Sequence, residues 1–203
     1  RREKKGFVAW LSLIAIGGAF VANLSLWVDH LQPTSLFGAC AQGVRDQGTC
    51  GALAADGFAR LFDGIFLVGA FLTVLLSPRY LEEHEIRRGE YYPLMLMATA
   101  GMMTMAAATD LITLFVGLEL MSISVYALAG LWRQNIRSLE AAIKYLVTGA
   151  FSTAILLFGV AHIYGATAST NLAEIATALG GTVGFSPTVL IALFFLLAGF
   201  GGV

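Results

Sequence analysis

The chain has 203 residues, of which 58% are hydrophobic and 12% are charged, and its formal net charge is −1. Soluble domains carry about a quarter charged residues, so the composition excludes an ordinary water-soluble domain, and the near-neutral charge offers no basic surface for nucleic acid. The three histidines and two cysteines are scattered without zinc-ligand spacing, so we expect no metal site. We predict an all-α, polytopic transmembrane helix bundle in a lipid bilayer.

Six apolar segments can form helical membrane spans, each of which needs roughly 20 residues. They cover residues 7–28, 57–77, 91–109, 111–131, 139–162 and 186–203. Ser186 and Pro187 suit the start of the last span, as a cap and a first-turn residue. Because the chain opens on charged residues and stops inside an apolar run, we expect it to be the N-terminal part of one membrane domain in a longer protein.

Basic residues in the connections predict the sidedness of the spans, because short loops rich in Lys and Arg stay cytoplasmic. The basic groups precede the first span or follow the second and fourth: Arg1, Arg2, Lys4, Lys5, Arg79, Arg87, Arg88, Arg133 and Arg137. With alternating spans, residues 78–90 and 132–138 are cytoplasmic loops of the cell inner (plasma) membrane, and residues 29–56 and 163–185 lie on its outer side. In the outer loop 29–56, Cys40 and Cys50 either form a disulfide or stay free.

The second outer connection contains a candidate surface helix at residues 171–180. Asn171 can cap this helix, and Glu174 can reach back to the cap residue in a capping box. The apolar residues of the segment share one helical face: Leu172, Ile175 and Leu179. We predict a short amphipathic helix on the outer membrane surface, and a plain linker is the alternative.

Glu119 lies inside the fourth span with apolar residues on both sides. At ~1.5 Å per residue, it is ~12 Å from the outer end of its helix and therefore near mid-membrane. A lone carboxylate at that depth costs several kcal/mol or takes up a proton, and intramembrane acids are functional by default. We predict that Glu119 loads and releases protons. The alternative is a permanently protonated glutamate that hydrogen-bonds a neighbouring helix.

Lys144 lies about two turns into the fifth span from its cytoplasmic end. We predict that it is the basic partner of Glu119 on the adjoining helix, coupled through ordered water. The alternative is a lysine whose amine snorkels to the membrane interface. Glu140 precedes Lys144 by four residues, in the favourable Glu-to-Lys order, and is either its structural partner or a proton uptake group. Asp63, near Arg60 in the second span, is expected to be solvated or paired.

Two segments carry a resemblance to a known family. They are residues 110–130 (DLITLFVGLELMSISVYALAG) and residues 137–145 (RSLEAAIKY). Both resemble the antiporter-like membrane subunits of bacterial respiratory complex I, the proton-pumping NADH:quinone oxidoreductase, and within them the subunit N family. The resemblance runs from about Gly57 to the end of the chain, and residues 29–56 look like a local insertion.

The resemblance implies an inverted-repeat antiporter-like fold and proton translocation coupled to redox chemistry elsewhere in a complex. It matches Glu119 and Lys144 to the intramembrane glutamate and lysine of the family, and it implies that the family's central lysine comes after Val203. NADH, flavin, iron–sulfur clusters and quinone are expected in other subunits, none of them bound by this chain, and other membrane subunits are the expected partners. A subunit of a stand-alone cation/proton antiporter and a structural membrane scaffold are the alternatives.

Overall fold

A computed structural model describes residues 3–28, 35–36, 52–54, 56–83, 89–181, 184 and 186–202. These residues form helices joined by short connections and one small hairpin. The helices are α1 (Glu3–Val28), α2 (Gly57–Glu83), α3 (Tyr91–Ala107), α4 (Leu111–Ala129), α5 (Ile136–Thr167), α6 (Leu172–Gly180) and α7 (Pro187–Gly202). The hairpin strands are β1 (Ser35–Leu36) and β2 (Leu53–Ala54).

Four of the described helices are long and apolar enough to cross a membrane: α1 through Phe7–Ser25, α2, α4 and α5. α3 has 17 residues and α7 has 16, so the helices at these two predicted spans are shorter than each of those four. Large apolar side chains cover the outside of the bundle, and Phe194 is 67% exposed and Leu197 74% exposed. An apolar surface of this extent needs lipid or another protein against it, which supports a membrane bundle.

α2 continues beyond the end of the predicted second span, so the predicted loop 78–90 is wrong for its first six residues. Pro78 lies inside this helix, and Glu83 ends it. A proline removes one backbone donor, which membrane helices tolerate. Leu81, one turn after the proline, is buried in a core cluster that also contains Tyr92 of α3. This packing keeps the last turn of α2 helical, and hydropathy alone could not reveal it.

α5 is longer at both ends than the predicted span 139–162. Its start is fixed by Asn135, whose side-chain oxygen accepts a hydrogen bond from the Arg137 backbone N–H at 3.0 Å. Its end is marked by Ala168, which adopts a left-handed conformation with φ of 55°. The added turns include the polar residues Arg137, Ser138 and Thr167, so the apolar run that predicted the span is shorter than the helix.

α3 and α4 pack closely through glycines on both helices. A Cβ at Gly101 would lie 2.6 Å from the Met121 backbone nitrogen, and a Cβ at Gly117 would lie 3.0 Å from the Gly101 carbonyl oxygen. Small residues at such positions let two membrane helices bring their backbones together. α5 and α7 form the other extensive pair, and α4 packs against α5 to join the two pairs.

Three connections meet at one end of the bundle, and we call this region the Asp110 junction: residues 52–54, 108–111 and 168–172. β1 pairs antiparallel with β2, and Leu53 of β2 also forms a bridge with Ala108. The Leu111 backbone N–H donates to the Thr170 carbonyl at 2.9 Å. The predicted outer loop therefore contributes a hairpin to this end, while Cys40 and Cys50 lie outside the described residues.

The Asp110 side chain joins two of these connections. Its Oδ1 caps α4 by accepting hydrogen bonds from the backbone N–H groups of Ile112 at 2.8 Å and Thr113 at 3.3 Å. Its Oδ2 accepts a hydrogen bond from the Thr170 hydroxyl at 2.5 Å. One carboxylate thus fixes the start of α4 and holds the segment that follows α5.

α6 lies where the surface helix is predicted, and Asn171 caps it by accepting from the N–H of Ala173 at 3.0 Å. The capping box between Asn171 and Glu174 stays a prediction. The Ser169 hydroxyl donates to the Glu174 carboxylate, and the Asn171 backbone N–H donates to the Ser169 oxygen at 3.1 Å. Ile175 is buried against α5 and α7, so one face of α6 packs onto the bundle.

The opposite end of the bundle carries the basic connections. An ion pair joins the Arg133 guanidinium, in the turn after α4, to the Glu90 carboxylate just before α3, with 3.9 Å between the charged atoms. Both side chains are 63% exposed. Glu90 and the turn that contains Arg133 therefore lie at the same end of the molecule.

Candidate functional site

Glu119 is positioned by α4, nine residues after its cap Asp110. The side chain is half-buried, and its Oε1 is inaccessible and has no hydrogen-bond partner among the described residues. Buried polar atoms almost always have a partner, either from the protein or from water. An acid in this setting needs a proton, a water molecule or a cation to offset its desolvation.

Two more buried polar groups lie on the same face of α4. Ser122 and Tyr126 follow Glu119 by three and seven residues, and positions with that spacing lie one above another on a helix. The Ser122 and Tyr126 hydroxyl oxygens are also buried, and within the described ranges neither has a hydrogen-bond partner. We call Glu119, Ser122 and Tyr126 the α4 stripe. The sequence indicated the acid through its charge, while the two hydroxyls have no such signal apart from their spacing on an apolar helix.

Lys144 lies on the exposed side of α5, with 73% of its side chain accessible. Its ammonium donates a hydrogen bond to the Glu140 Oε1 at 2.5 Å, and the Glu140 side chain is 58% exposed. The partner of Lys144 in the structure is therefore Glu140, one turn earlier on the same helix. Coupling of Lys144 to Glu119 through water stays a prediction.

The α4 stripe meets α5 at Tyr126. The Tyr126 ring stacks on the Tyr145 ring, with centroids 6.4 Å apart and planes 15° apart. Its hydroxyl lies directly against Gly149 of α5, where a Cβ would overlap it. Because Tyr145 adjoins Lys144 in the chain, this contact brings one end of the stripe to the part of α5 that carries the lysine.

Asp63 of α2 differs from its expected environment. The side chain is half-buried, and its Oδ1 is inaccessible and without a hydrogen-bond partner in the part of the chain that the structure describes. The prediction of a solvated or paired group is therefore wrong for this oxygen. A cavity of about 450 Å³ lies between α1 and α2, and residues of these two helices line it, including Arg60 and Asn23. This cavity does not involve the α4 stripe.

A family model matches residues 108–202, and its description is NADH:quinone oxidoreductase/Mrp antiporter, TM. This stretch contains the α4 stripe, the Lys144–Glu140 pair and part of the Asp110 junction. It therefore covers every residue that sequence analysis predicted for the site.

Full-length relatives and solved structures extend the match to most of the chain. NADH-quinone oxidoreductase subunit N of Trichlorobacter lovleyi is 46% identical over 98% of this chain, which spans 38% of that relative's length. A chain of respiratory complex I from Thermus thermophilus aligns with a TM-score of 0.73 and 33% identity, over 97% of this chain and 38% of that one.

A chain of the Mrp complex from a Dietzia species shares the fold, with a TM-score of 0.74 at 22% identity, over 97% of this chain and 36% of that one. The same fold thus occurs in complex I and in the Mrp complex, and the higher sequence identity is to subunit N. The resemblance predicted from the sequence is confirmed, because residues 108–202 match the NADH:quinone oxidoreductase/Mrp antiporter family model and a subunit N relative aligns over nearly the whole chain.

Proposed function

We propose that this chain forms part of a proton-translocating membrane subunit of an NADH:quinone oxidoreductase, a translocase whose redox chemistry takes place in other subunits. The chain spans about 38% of the length of its curated relative, so the proposal concerns the proton-handling groups of this part. Under this proposal, Glu119 and Lys144 exchange protons as the complex turns over. Glu140 either holds the Lys144 ammonium through their ion pair or supplies it with protons.

One observation carries the proposal. The Glu119 carboxyl lies inside a helix apolar enough to span a membrane, and one of its oxygens is buried without a hydrogen-bond partner among the described residues. A glutamate kept only for structure would gain about 1 kcal/mol or more from a hydrogen bond on a neighbouring helix. A carboxyl without that bond is free to exchange its proton with water that enters the bundle.

The two ends of the bundle support the sidedness in this proposal. We place the end with the Arg133–Glu90 ion pair in the cytoplasm, because basic connections resist translocation across the inner membrane. The Asp110 junction and α6 then lie on the outer side. Other membrane subunits of the complex and the lipid bilayer cover the exposed apolar faces, and NADH, flavin, iron–sulfur clusters and quinone belong to other subunits.

The test uses the whole complex in membrane vesicles. Glu119→Gln keeps the shape of the side chain and removes the titratable group, while Lys144→Ala removes the cation. We expect both to lower the rate of NADH-driven proton pumping per assembled complex. The matched control is Glu83→Gln, which removes an exposed acid at the end of α2. Pumping that stays at the control level in both site variants would support a structural scaffold instead.

A second candidate is a subunit of a stand-alone cation/proton antiporter, favoured by the shared fold of the Mrp complex chain. The two candidates differ in their partners. Purification of the full-length protein from its native membrane, with identification of the copurifying subunits, separates them. Copurifying redox subunits with flavin and iron–sulfur clusters favour the oxidoreductase, and their absence together with cation-dependent proton exchange favours the antiporter.

A further inference from the structure

We propose that Tyr126 is a relay residue, whose hydroxyl passes protons along the α4 stripe between Glu119 and the part of α5 that carries Lys144. This inference rests on the proposed function and adds a residue to it. Its basis is a group of three residues on one face of α4, namely Glu119, Ser122 and Tyr126. The Glu119 Oε1 and the two hydroxyl oxygens are buried, and none of these three oxygens has a hydrogen-bond partner among the described residues.

The spacing of the stripe suits a hydrogen-bonded chain. Successive members are three and four residues apart, which corresponds to about 4.5 and 6 Å along the helix axis. A direct hydrogen bond between oxygens is about 2.8 Å long, so one water molecule between neighbours completes each step. Buried water is found where polar groups would otherwise be unsatisfied, and these three oxygens meet that condition.

The contact with α5 gives Tyr126 a fixed position. Its hydroxyl lies against Gly149, where no side chain competes for the space, and its ring stacks on Tyr145. Helical side chains lean towards the N-terminus of their helix, and Glu119 lies in that direction from Tyr126 on α4. The same residue therefore contacts the Lys144 helix and lies on the same face of α4 as the acid.

The relay step leaves the tyrosine unchanged. A proton from a water molecule on one side forms a new O–H bond at the hydroxyl oxygen, and the original O–H bond breaks to release its proton to water on the other side. Rotation of the hydroxyl restores the starting state. No atom is gained or lost, and the net transfer is one proton between the two ends of the stripe.

The closing experiment compares Tyr126→Phe with Tyr145→Phe in the whole complex in membrane vesicles. Tyr126→Phe keeps the ring, its stacking and the contact with Gly149, and removes the hydroxyl. Tyr145→Phe is the matched control, because it removes a hydroxyl from the other ring of the same stacked pair, on a side chain that is 58% exposed. Proton pumping per assembled complex is measured in H₂O and D₂O, with Glu119→Gln as the third variant.

We expect Tyr126→Phe to lower the pumping rate by about 2- to 10-fold, the factor that corresponds to the net free energy of one hydrogen bond. We also expect a larger D₂O effect than in the control, because proton transfer becomes slower. If Glu119→Gln lowers pumping but Tyr126→Phe matches Tyr145→Phe, the relay is overturned and the proposed function stands. If Glu119→Gln leaves pumping unchanged, the role of Glu119 in the proposed function fails and the relay with it.

Gly149→Ala provides a second measurement that tests the position of the hydroxyl. The added methyl group overlaps the Tyr126 hydroxyl, so we expect lower pumping and a smaller amount of assembled complex. In the double variant Tyr126→Phe/Gly149→Ala, the overlap with the hydroxyl is removed, but the Cζ ring carbon still lies 2.5 Å from the added methyl group. We therefore expect assembly to recover only in part while pumping per assembled complex stays low; recovery of that pumping would overturn the relay.

Discussion

The Asp110 carboxylate on α4 accepts a hydrogen bond from the Thr170 hydroxyl at 2.5 Å, across 60 residues of sequence. The same carboxylate caps α4, so the start of one membrane helix and the segment after another depend on a single side chain. The contact joins the α3–α4 pair to the α5–α7 pair at the Asp110 junction. This hydrogen bond therefore contributes to the stability of the folded chain, and the position of Glu119 depends on it because Glu119 lies on α4.

Asp110→Ala should destabilise the chain by about 2–4 kcal/mol. Loss of the helix cap costs about 1 kcal/mol, and loss of a hydrogen bond to a charged group costs about 1.5–3 kcal/mol. The measurement is the amount of chain retained in the complex after stepwise heating of membranes. Thr170→Val removes the hydroxyl donor and leaves the cap, so less chain should be lost from the heated complex than with Asp110→Ala. Equal losses of chain in the two variants would mean that the cap contributes nothing.

Gly101→Ala should weaken the contact between α3 and α4. The new Cβ would lie 2.6 Å from the Met121 backbone nitrogen, so the two backbones must move apart, at a cost of about 1–3 kcal/mol. We expect a smaller amount of assembled protein in the membrane, measured by immunoblot. Gly69→Ala is the matched control, because a Cβ there has open space around it. A decrease of the same size in the control would contradict the role of close packing.

Glu140→Gln should leave the amount of folded protein unchanged. Its ion pair with Lys144 is exposed and links residues four apart on one helix, and such pairs contribute about 0.3–0.5 kcal/mol. We expect pumping to fall less than in Glu119→Gln, because Lys144 keeps its charge. Loss of the folded protein in Glu140→Gln, detected in the same heating assay, would show that the pair has a larger structural role than its exposure indicates.

Single cysteines should report the sidedness of the bundle. Gln134→Cys lies in the exposed turn after α4, and Ala176→Cys lies on the exposed face of α6. In a background with Cys40 and Cys50 replaced by serine, we expect a membrane-impermeant maleimide to label position 134 in inverted vesicles and position 176 in intact spheroplasts. The reverse pattern would invert the proposed orientation, and labelling of both positions from one side would contradict the placement of α6.

Hydropathy and charge predicted the helical class, the approximate positions of the long apolar helices and the place of Glu119 inside one of them. These features depend on local properties, namely a long apolar run and one charged residue within it. The cap residue Asn171 and the first-turn residue Pro187 are local signals of the same kind, since α6 begins directly after Asn171 and α7 begins at Pro187. Local chemistry was therefore enough for most of the elements that carry the candidate site.

The features that the sequence did not predict depend on distant partners. The last turn of α2 is held by packing of Leu81 near Tyr92, and no local signal indicates that contact. In the sequence, Tyr126 is one aromatic residue among several, and only the packing of α4 against α5 places Gly149 beside its hydroxyl. Lys144 forms its ion pair with Glu140 because the orientation of α5 about its axis places the lysine on the exposed side of the helix.

The two ends of the bundle are joined by different kinds of contact. At the Asp110 junction, backbone hydrogen bonds and a carboxylate connect segments from three parts of the chain. At the other end, an exposed ion pair joins Arg133 to Glu90, and salt weakens such pairs. Raising the ionic strength should therefore loosen the contact between these two turns and leave the Asp110 junction unchanged.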